Sequence, residues 1–281
     1  MHRLLALLLT ILLSPWVLAA PAQRIISLSP HTTELIYAAG MGDKLIAASE
    51  FSDYPKAALK LERVANYRGI NLERIITLKP DLVVTWKGGL PQAQLDKLSA
   101  FGIPIHYSNP TTLESIGDEL MALAPYAENP QTAEKAAQTY WQALSARRTK
   151  YQDAKPLRYF YQLSNQPLIT MAQERWPSPV FTLCGGQNIF ANAPAPYPQV
   201  GPEQVLMKQP EIIFGADHQG DGSNRSIQRD WQAWAGHLPA YDQQQIWLLN
   251  SNWLNRPTPR VILAIDQVCG YFDQARSRAQ E

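Results

Sequence analysis

Apolar residues fall into short unbroken runs separated by amphipathic stretches, and this alternation begins at Arg24. The run Arg24 to Ser29 reads as a buried strand; Pro30-His31-Thr32-Thr33-Glu34 then opens a helix that runs to Ala39 and stops at Gly40. Leu45 to Ala48 is a second short apolar run. Asn71 caps an amphipathic helix through Lys79, Pro80 punctuates, and Asp81 to Thr85 is another strand. Leu95 to Ala100 then has helical spacing, and Ile103 to Tyr107 is extended. Strands alternating with helices at this spacing predict a parallel sheet with helices on its faces. Ligands of such sheets sit beyond the carboxyl ends of the strands, here the loops after Ser29, Ala48 and Thr85.

The middle of the chain has a different period. From Thr132 to about Tyr151 there is no Gly or Pro, and Ala133, Ala136, Ala137, Tyr140, Trp141 and Leu144 recur at helical spacing with charges between them. This predicts one long helix. The strand-helix pattern resumes at Leu157 to Leu163, continues with Ile212 to Phe214 and Ile246 to Leu249, and ends on a helix from Pro259 to Phe272. An internal repeat strengthens the division. Asn71 to Val84 lies over Gly201 to Phe214 without a gap, which matches Glu73 with Glu203, Pro80 with Pro210, Asp81 with Glu211 and, upstream, Tyr67 with Tyr197. The predicted fold class is α/β, two pseudo-symmetric lobes of mostly parallel sheet joined by one long backbone helix and facing each other across a cleft. The lobes are expected over 21–128 and 153–281, with the linking helix over 129–152.

Residues 1–20 stand outside this pattern. One early arginine, an apolar stretch from Leu4 to Leu13 broken only by Thr10, and the small residues Ala19-Ala20 have the form of a secretory signal peptide. Cleavage there removes Arg3 and predicts a freely soluble protein outside the cytoplasm. An exported chain with two cysteines has one possible internal pairing, so a Cys184–Cys269 disulfide is expected, confined to the C-terminal half.

Composition mainly excludes. With Lys+Arg 25 against Asp+Glu 24 there is no basic excess to suit a nucleic-acid partner. No phosphate-cradling glycine loop, zincin motif or nucleophile elbow is present, and no catalytic residue is assigned. His31 and His218 follow equivalent strand ends, but two imidazoles do not complete a closed metal site, so neither a resident metal nor a cofactor is expected.

The positive signal is aromatic. Phe51, Tyr54, Tyr67, Trp86, Tyr197 and Trp253 fall in loops on the ligand side of both sheets, as the walls for a large, partly apolar, ring-containing ligand would. Glu73 and Glu203 each occupy the second position of a helix, where the dipole favours a carboxylate. Their recurrence in both lobes suits a symmetric partner held by two salt bridges.

Taken together, Arg24-Ile-Ile-Ser-Leu-Ser-Pro-x-x-Thr-Glu-Leu, Ser52-Asp-Tyr-Pro, Gly69-x-Asn-Leu-Glu-Arg-Ile, Lys79-Pro-Asp-Leu-Val, Trp86-x-Gly-Gly and Pro198-Gln-Val-x-x-Glu-Gln resemble the periplasmic cobalamin-binding proteins of bacterial ABC importers. The likeness spans nearly the whole chain after residue 20. Its Ser-Pro opening and Lys-Pro-Asp strand are shared with haem, siderophore and metal receptors of the same helix-linked class. The resemblance implies a corrin ring between the lobes, touched by Phe51, Tyr67, Trp86 and Tyr197, with the loop Asn252, Trp253, Leu254, Asn255 and Arg256 on the other side. It also implies that Glu73 and Glu203 meet arginines of a permease dimer in the inner membrane, and that the free protein is a monomer. Members of the family often carry Tyr where Phe51 stands, Trp where Tyr67 and Tyr197 stand, and an acid in place of Asn252. A haem or siderophore receptor of the same fold is the alternative, and a secreted enzyme acting in the cleft the rival from another class.

Overall fold

The structure, a computed structural model, describes residues 21–173, 175–217 and 225–278. The signal segment expected over 1–20, and His218, lie outside them. The first half contains β1 (Ile25–Ser27), α1 (Pro30–Ala38), β2 (Leu45–Ser49), β3 (Glu62–Asn66), β4 (Gly69–Ile70), α2 (Leu72–Leu78), β5 (Leu82–Trp86), α3 (Gln92–Ala100), β6 (Ile105–Ser108) and α4 (Ser115–Leu123). Its strands form one sheet in the order β4-β3-β2-β1-β5-β6, parallel throughout except for β4. The unbroken apolar runs follow from burial on both faces. Ile25 and Ile26 point to opposite sides of β1 and enter two separate apolar clusters, and Val84 and Val83 on β5 do the same.

The long helix α5 (Pro130–Tyr151) starts on the Asn129 side chain, which accepts from the Gln131 N–H at 3.2 Å. Beyond it come β7 (Leu157–Gln162), β8 (Ser164–Asn165), β9 (Leu168–Ile169), α6 (Ser178–Leu183), β10 (Gly186–Asn188), α7 (Pro202–Lys208) and β11 (Ile212–Asp217). The chain closes with α8 (Arg225–Trp231), α9 (Pro239–Asp242), β12 (Ile246–Asn250), α10 (Ser251–Leu254) and α11 (Val261–Arg278). The second sheet runs β10-β7-β11-β12, all parallel, which is the order β2-β1-β5-β6 of the first.

The repeat is therefore structural. Lys79 and Gln209 end α2 and α7 in the same left-handed conformation, with φ 48° in both. The following acids do the same work. Asp81 accepts the backbone N–H groups of Gln23 and Arg24 at 2.8 and 2.9 Å, at the start of β1, and Glu211 accepts that of Arg158 at 2.8 Å at the start of β7.

Helix α5 is fastened to both halves. Tyr140 Oη donates to the Leu113 carbonyl at 2.7 Å and Trp141 Nε1 to that of Glu114 at 3.1 Å. Towards its other end Arg147 pairs with Asp266 and Tyr151 Oη donates to Asp273 at 3.0 Å, both on α11. One apolar cluster passes from beneath the first sheet, along Ala133, Ala137 and Leu144, to beneath the second. Cys184 and Cys269 are fully buried and disulfide-bonded, tying the end of α6 to α11 with Cα atoms 4.9 Å apart.

The last helix differs from expectation at both ends. It begins at Val261 and continues six residues past Phe272, because Arg276 donates to the Lys155 carbonyl at 2.9 Å and the Cys184 carbonyl at 2.5 Å, fixing a polar final turn. No helix among the described residues is long and apolar enough to cross a membrane.

Candidate binding cleft between the two sheets

In the first sheet the consecutive strands β3, β2, β1 and β5 deliver Tyr67, Phe51, His31 and Trp86 to one carboxyl edge. At about 4.8 Å between strands the row spans about 14 Å. Tyr67 and Phe51 are 78% and 72% exposed and Trp86 is 47% exposed, so flat side chains stand in solvent rather than in a core. The second sheet turns its own carboxyl edge to this row. Between the two lies a cavity of about 210 Å³, to which Trp86 and His31 contribute from one side and Tyr197, Trp176, Asn255 and Pro257 from the other. A larger groove of about 820 Å³ runs beside the last turns of α5, lined by Thr111 and Thr112 from the first half and Gln173, Pro179 and Thr182 from the second.

His31 is the second residue of α1, set by the Ser29-Pro30 start of that helix. Around it the hydroxyls of Ser27, Ser29, Thr32, Thr33, Ser49 and Ser52 form a buried hydrogen-bonded cluster. The imidazole is 5% exposed, meets Trp86 edge-on at 5.8 Å, and approaches Ser29 Oγ with Nδ1 at 3.2 Å. Burial pushes its pKa down to about 4; the charge of Glu119 opposes this and that of Arg256 adds to it. The ring is neutral at pH 7.

The Ser52-Asp-Tyr-Pro segment has a mechanical role. Arg256 donates to Asp53 Oδ1 at 2.5 Å, to Glu34 Oε1 at 3.0 Å and to the Phe51 carbonyl at 3.1 Å. Arg260 lies 3.8 Å over the Tyr54 ring and pairs with Glu34, which also accepts from Thr258 Oγ1 at 3.0 Å. Glu34, 3% exposed, thus binds the first half to the loop after α10 in the second. Burial alone would raise the Asp53 carboxyl, but the hydrogen bond and charge of Arg256 outweigh it and hold the group below the usual range. Phe51 itself has φ 62°, an uncommon conformation for a bulky residue. The Arg256 bond to its carbonyl and the buried Ser52 beside it hold it there.

The expected site residues separate accordingly. Trp86, Tyr197 and Asn255 meet at one cavity, and Phe51 and Tyr67 extend the aromatic row beyond it. Leu254 departs from the expectation: it is fully buried in the apolar cluster, because it closes the single turn of α10 against α11. Trp253 is half-buried and packs on the same cluster. Asn252 caps back on Asn250 through its N–H at 3.0 Å and gives its carbonyl to Arg260 at 3.4 Å. Arg256 spends its guanidinium on the first half rather than on the open cleft. Trp176, absent from the expected set, fills the cavity wall with Nε1 donating to the Leu254 carbonyl at 2.8 Å. It lies in an irregular stretch between β9 and α6, where no periodic run marks a strand end; only the Trp-Pro-Ser-Pro sequence hints at a rigid turn. Glu73 and Glu203 are exposed at the second positions of α2 and α7. Among the described residues no group of three or more His, Cys, Asp or Glu is placed to hold a metal ion.

An α/β pair of sheets spliced by one helix, with aromatic strand ends facing across the gap, defines a bilobal binding protein, and the chain belongs to the periplasmic binding protein family, whose model matches residues 25–252. It is 52% identical, over 258 residues that make up 92% of each chain, to the Vitamin B12-binding protein of Vibrio cholerae serotype O1. With the Vitamin B12-binding protein of Yersinia pestis it shares 46% identity over 251 residues, 89% of this chain and 86% of that one. The crystal structure of the periplasmic vitamin B12 binding protein BtuF of Vibrio cholerae superposes with a TM-score of 0.85 at 52% identity, covering 92% of this chain and 99% of that one.

Proposed function

We propose that this protein captures cobalamin in the cleft between its two sheets and delivers it to an ABC importer, with no covalent chemistry of its own. The observation that carries the reading is the convergence of Trp86 and Tyr197, from opposite halves, on one cavity, with exposed Phe51 and Tyr67 presented after the neighbouring strands β2 and β3. A cavity of about 210 Å³ holds only part of a corrinoid, and the exposed row provides the apolar surface for the rest. The principal relatives support the same ligand through their names. Arg256, which an anionic siderophore or a haem propionate would need free, is held by Glu34 and Asp53.

The reading places the mature protein in the periplasm, free and monomeric until it docks, with lobes over 21–128 and 153–281 on either side of a linking helix over 129–152. Glu73 and Glu203, exposed at matching points of the two lobes, are the contacts for two basic side chains of a permease dimer. Nucleic acid has no part in it. Purified protein mixed separately with cyanocobalamin, haemin and a ferric siderophore tests the ligand: cyanocobalamin alone should co-elute in gel filtration with its visible absorbance, and co-elution of haemin in its place would refute the reading.

A further inference from the structure

Two polar side chains on the cavity wall are built in differently. Asn255 has both ends of its amide engaged, Oδ1 with the Tyr161 hydroxyl at 3.3 Å and Nδ2 with Ser251 Oγ at 3.4 Å. His31 is 5% exposed, its Nδ1 is turned to Ser29 Oγ at 3.2 Å, and its buried Nε2 has no hydrogen-bond partner in the chain. Native structures pair the great majority of such atoms, so an unpaired one in a ligand cavity marks the place where something else supplies the partner. With Nδ1 committed to the start of α1, Nε2 is the polar atom the ring has left for the cavity bounded by Trp86 and Tyr197.

The chemistry of that partner is constrained. The ring is uncharged at neutral pH, so it offers a carboxylate or phosphate no ionic attraction. Its tautomer depends on Ser29, whose hydroxyl also lies 2.8 Å from Thr32 Oγ1 and can give its proton to either. Nε2 is therefore a donor in one arrangement and an acceptor in the other. A primary carboxamide satisfies both, presenting an N–H and a carbonyl oxygen, and primary carboxamides ring the corrin edge of cobalamin. We infer that His31 Nε2 hydrogen-bonds one side-chain carboxamide of the bound corrinoid, an assignment that rests on the cobalamin reading and adds a specificity-determining residue to it.

The test titrates cyanocobalamin calorimetrically into wild-type, His31→Phe and His31→Gln proteins, then repeats the titration with the cobalamin monocarboxylic acids, in each of which one carboxamide has been hydrolysed. The expected result is about tenfold weaker binding by His31→Phe, the scale of one hydrogen bond to a buried neutral group, with most of it recovered by His31→Gln. One monocarboxylate isomer should bind the wild type about tenfold more weakly than cyanocobalamin does, yet lose nothing further against His31→Phe. Equal affinities of wild type and His31→Phe overturn the inference. So does a wild-type complex whose visible spectrum shifts to that of imidazole-ligated cobalt, which would put Nε2 on the metal instead. If His31→Phe fails to fold, the wild-type isomer series decides alone, and isomers that all bind alike overturn it. A wild type that binds no cyanocobalamin brings down the cobalamin reading itself, a failure distinct from the others.

Discussion

Glu34 and Arg260, 226 positions apart in the chain, form a two-pronged ion pair in which Nε donates to Oε2 at 2.8 Å and Nη2 to Oε1 at 2.5 Å. Arg256 and Thr258 add two further donors to the same carboxylate. Four donors on one buried group satisfy it fully, so its desolvation is offset; removing the carboxylate leaves two part-buried guanidinium groups side by side, among the described residues Arg256 with Asp53 as its one acidic partner and Arg260 with none but the Asn252 carbonyl and the Tyr54 ring. Glu34→Ala should therefore lower unfolding free energy by about 3–5 kcal/mol, read from urea denaturation. A loss below about 1 kcal/mol would mean that the pair behaves as an exposed one.

His31 makes stability depend on pH. Its pKa is about 4 when folded, against the ordinary 6.5. The unfolded chain therefore takes up a proton between these values that the folded chain refuses, and the stability present above pH 6.5 is lost as pH falls towards 4. At about 1.4 kcal/mol per pH unit the full effect is about 3 kcal/mol. Carboxylates held low by partners, Asp53 and Glu119 among them, lose stability at acid pH too, so the informative quantity is a difference. Between pH 7 and 4, the wild type should lose about 3 kcal/mol more than His31→Gln; parallel curves would show the imidazole to be no more basic when unfolded.

The Cys184–Cys269 bond joins α6 to α11 within the second half. Replacing both cysteines with alanine should cost about 2–5 kcal/mol and raise amide exchange around β7, β10 and α11 while leaving the first sheet protected. Uniform loosening of both sheets would contradict this local role.

Most of this architecture could be read from the chain because burial on both faces gives β1 and β11 the apolar runs Ile25-Ile26 and Ile212-Ile213-Phe214, and because the Pro-acid junction is repeated at Pro80-Asp81 and Pro210-Glu211. Elements without that signature were hidden. β3 opens with Glu62-Arg63 and β10 is Gly-Gln-Asn, so neither shows an apolar run. Around the cavity, exposed aromatics were legible, Trp86 at the end of β5 and Tyr197 in the loop before α7. The commitment of Arg256 to Glu34 was not, because an ion pair between residues 222 positions apart leaves no mark in local sequence. Leu254 was misplaced for a similar reason: whether a loop residue faces ligand or core depends on which way one turn of helix is rotated.

Glu73 and Glu203 give a prediction about delivery rather than capture. If the proposed docking holds, reversing both charges with Glu73→Arg and Glu203→Arg sets like charges against the permease's basic side chains, which should cost association about 2–5 kcal/mol. Affinity for cyanocobalamin should be unchanged while transport into vesicles carrying the importer is lost. Normal transport by the double variant would reduce both carboxylates to favourable helix-start residues.

The central claim, that aromatic side chains from both halves close on a corrinoid, is tested most directly by calorimetric titration of cyanocobalamin into the wild type, Trp86→Ala and Tyr197→Ala. Each truncation should weaken binding by about 1–3 kcal/mol with little change in melting temperature, since both side chains are about half exposed before ligand arrives. Undiminished affinity in both variants, or affinity kept while the melting temperature falls sharply, would contradict the account.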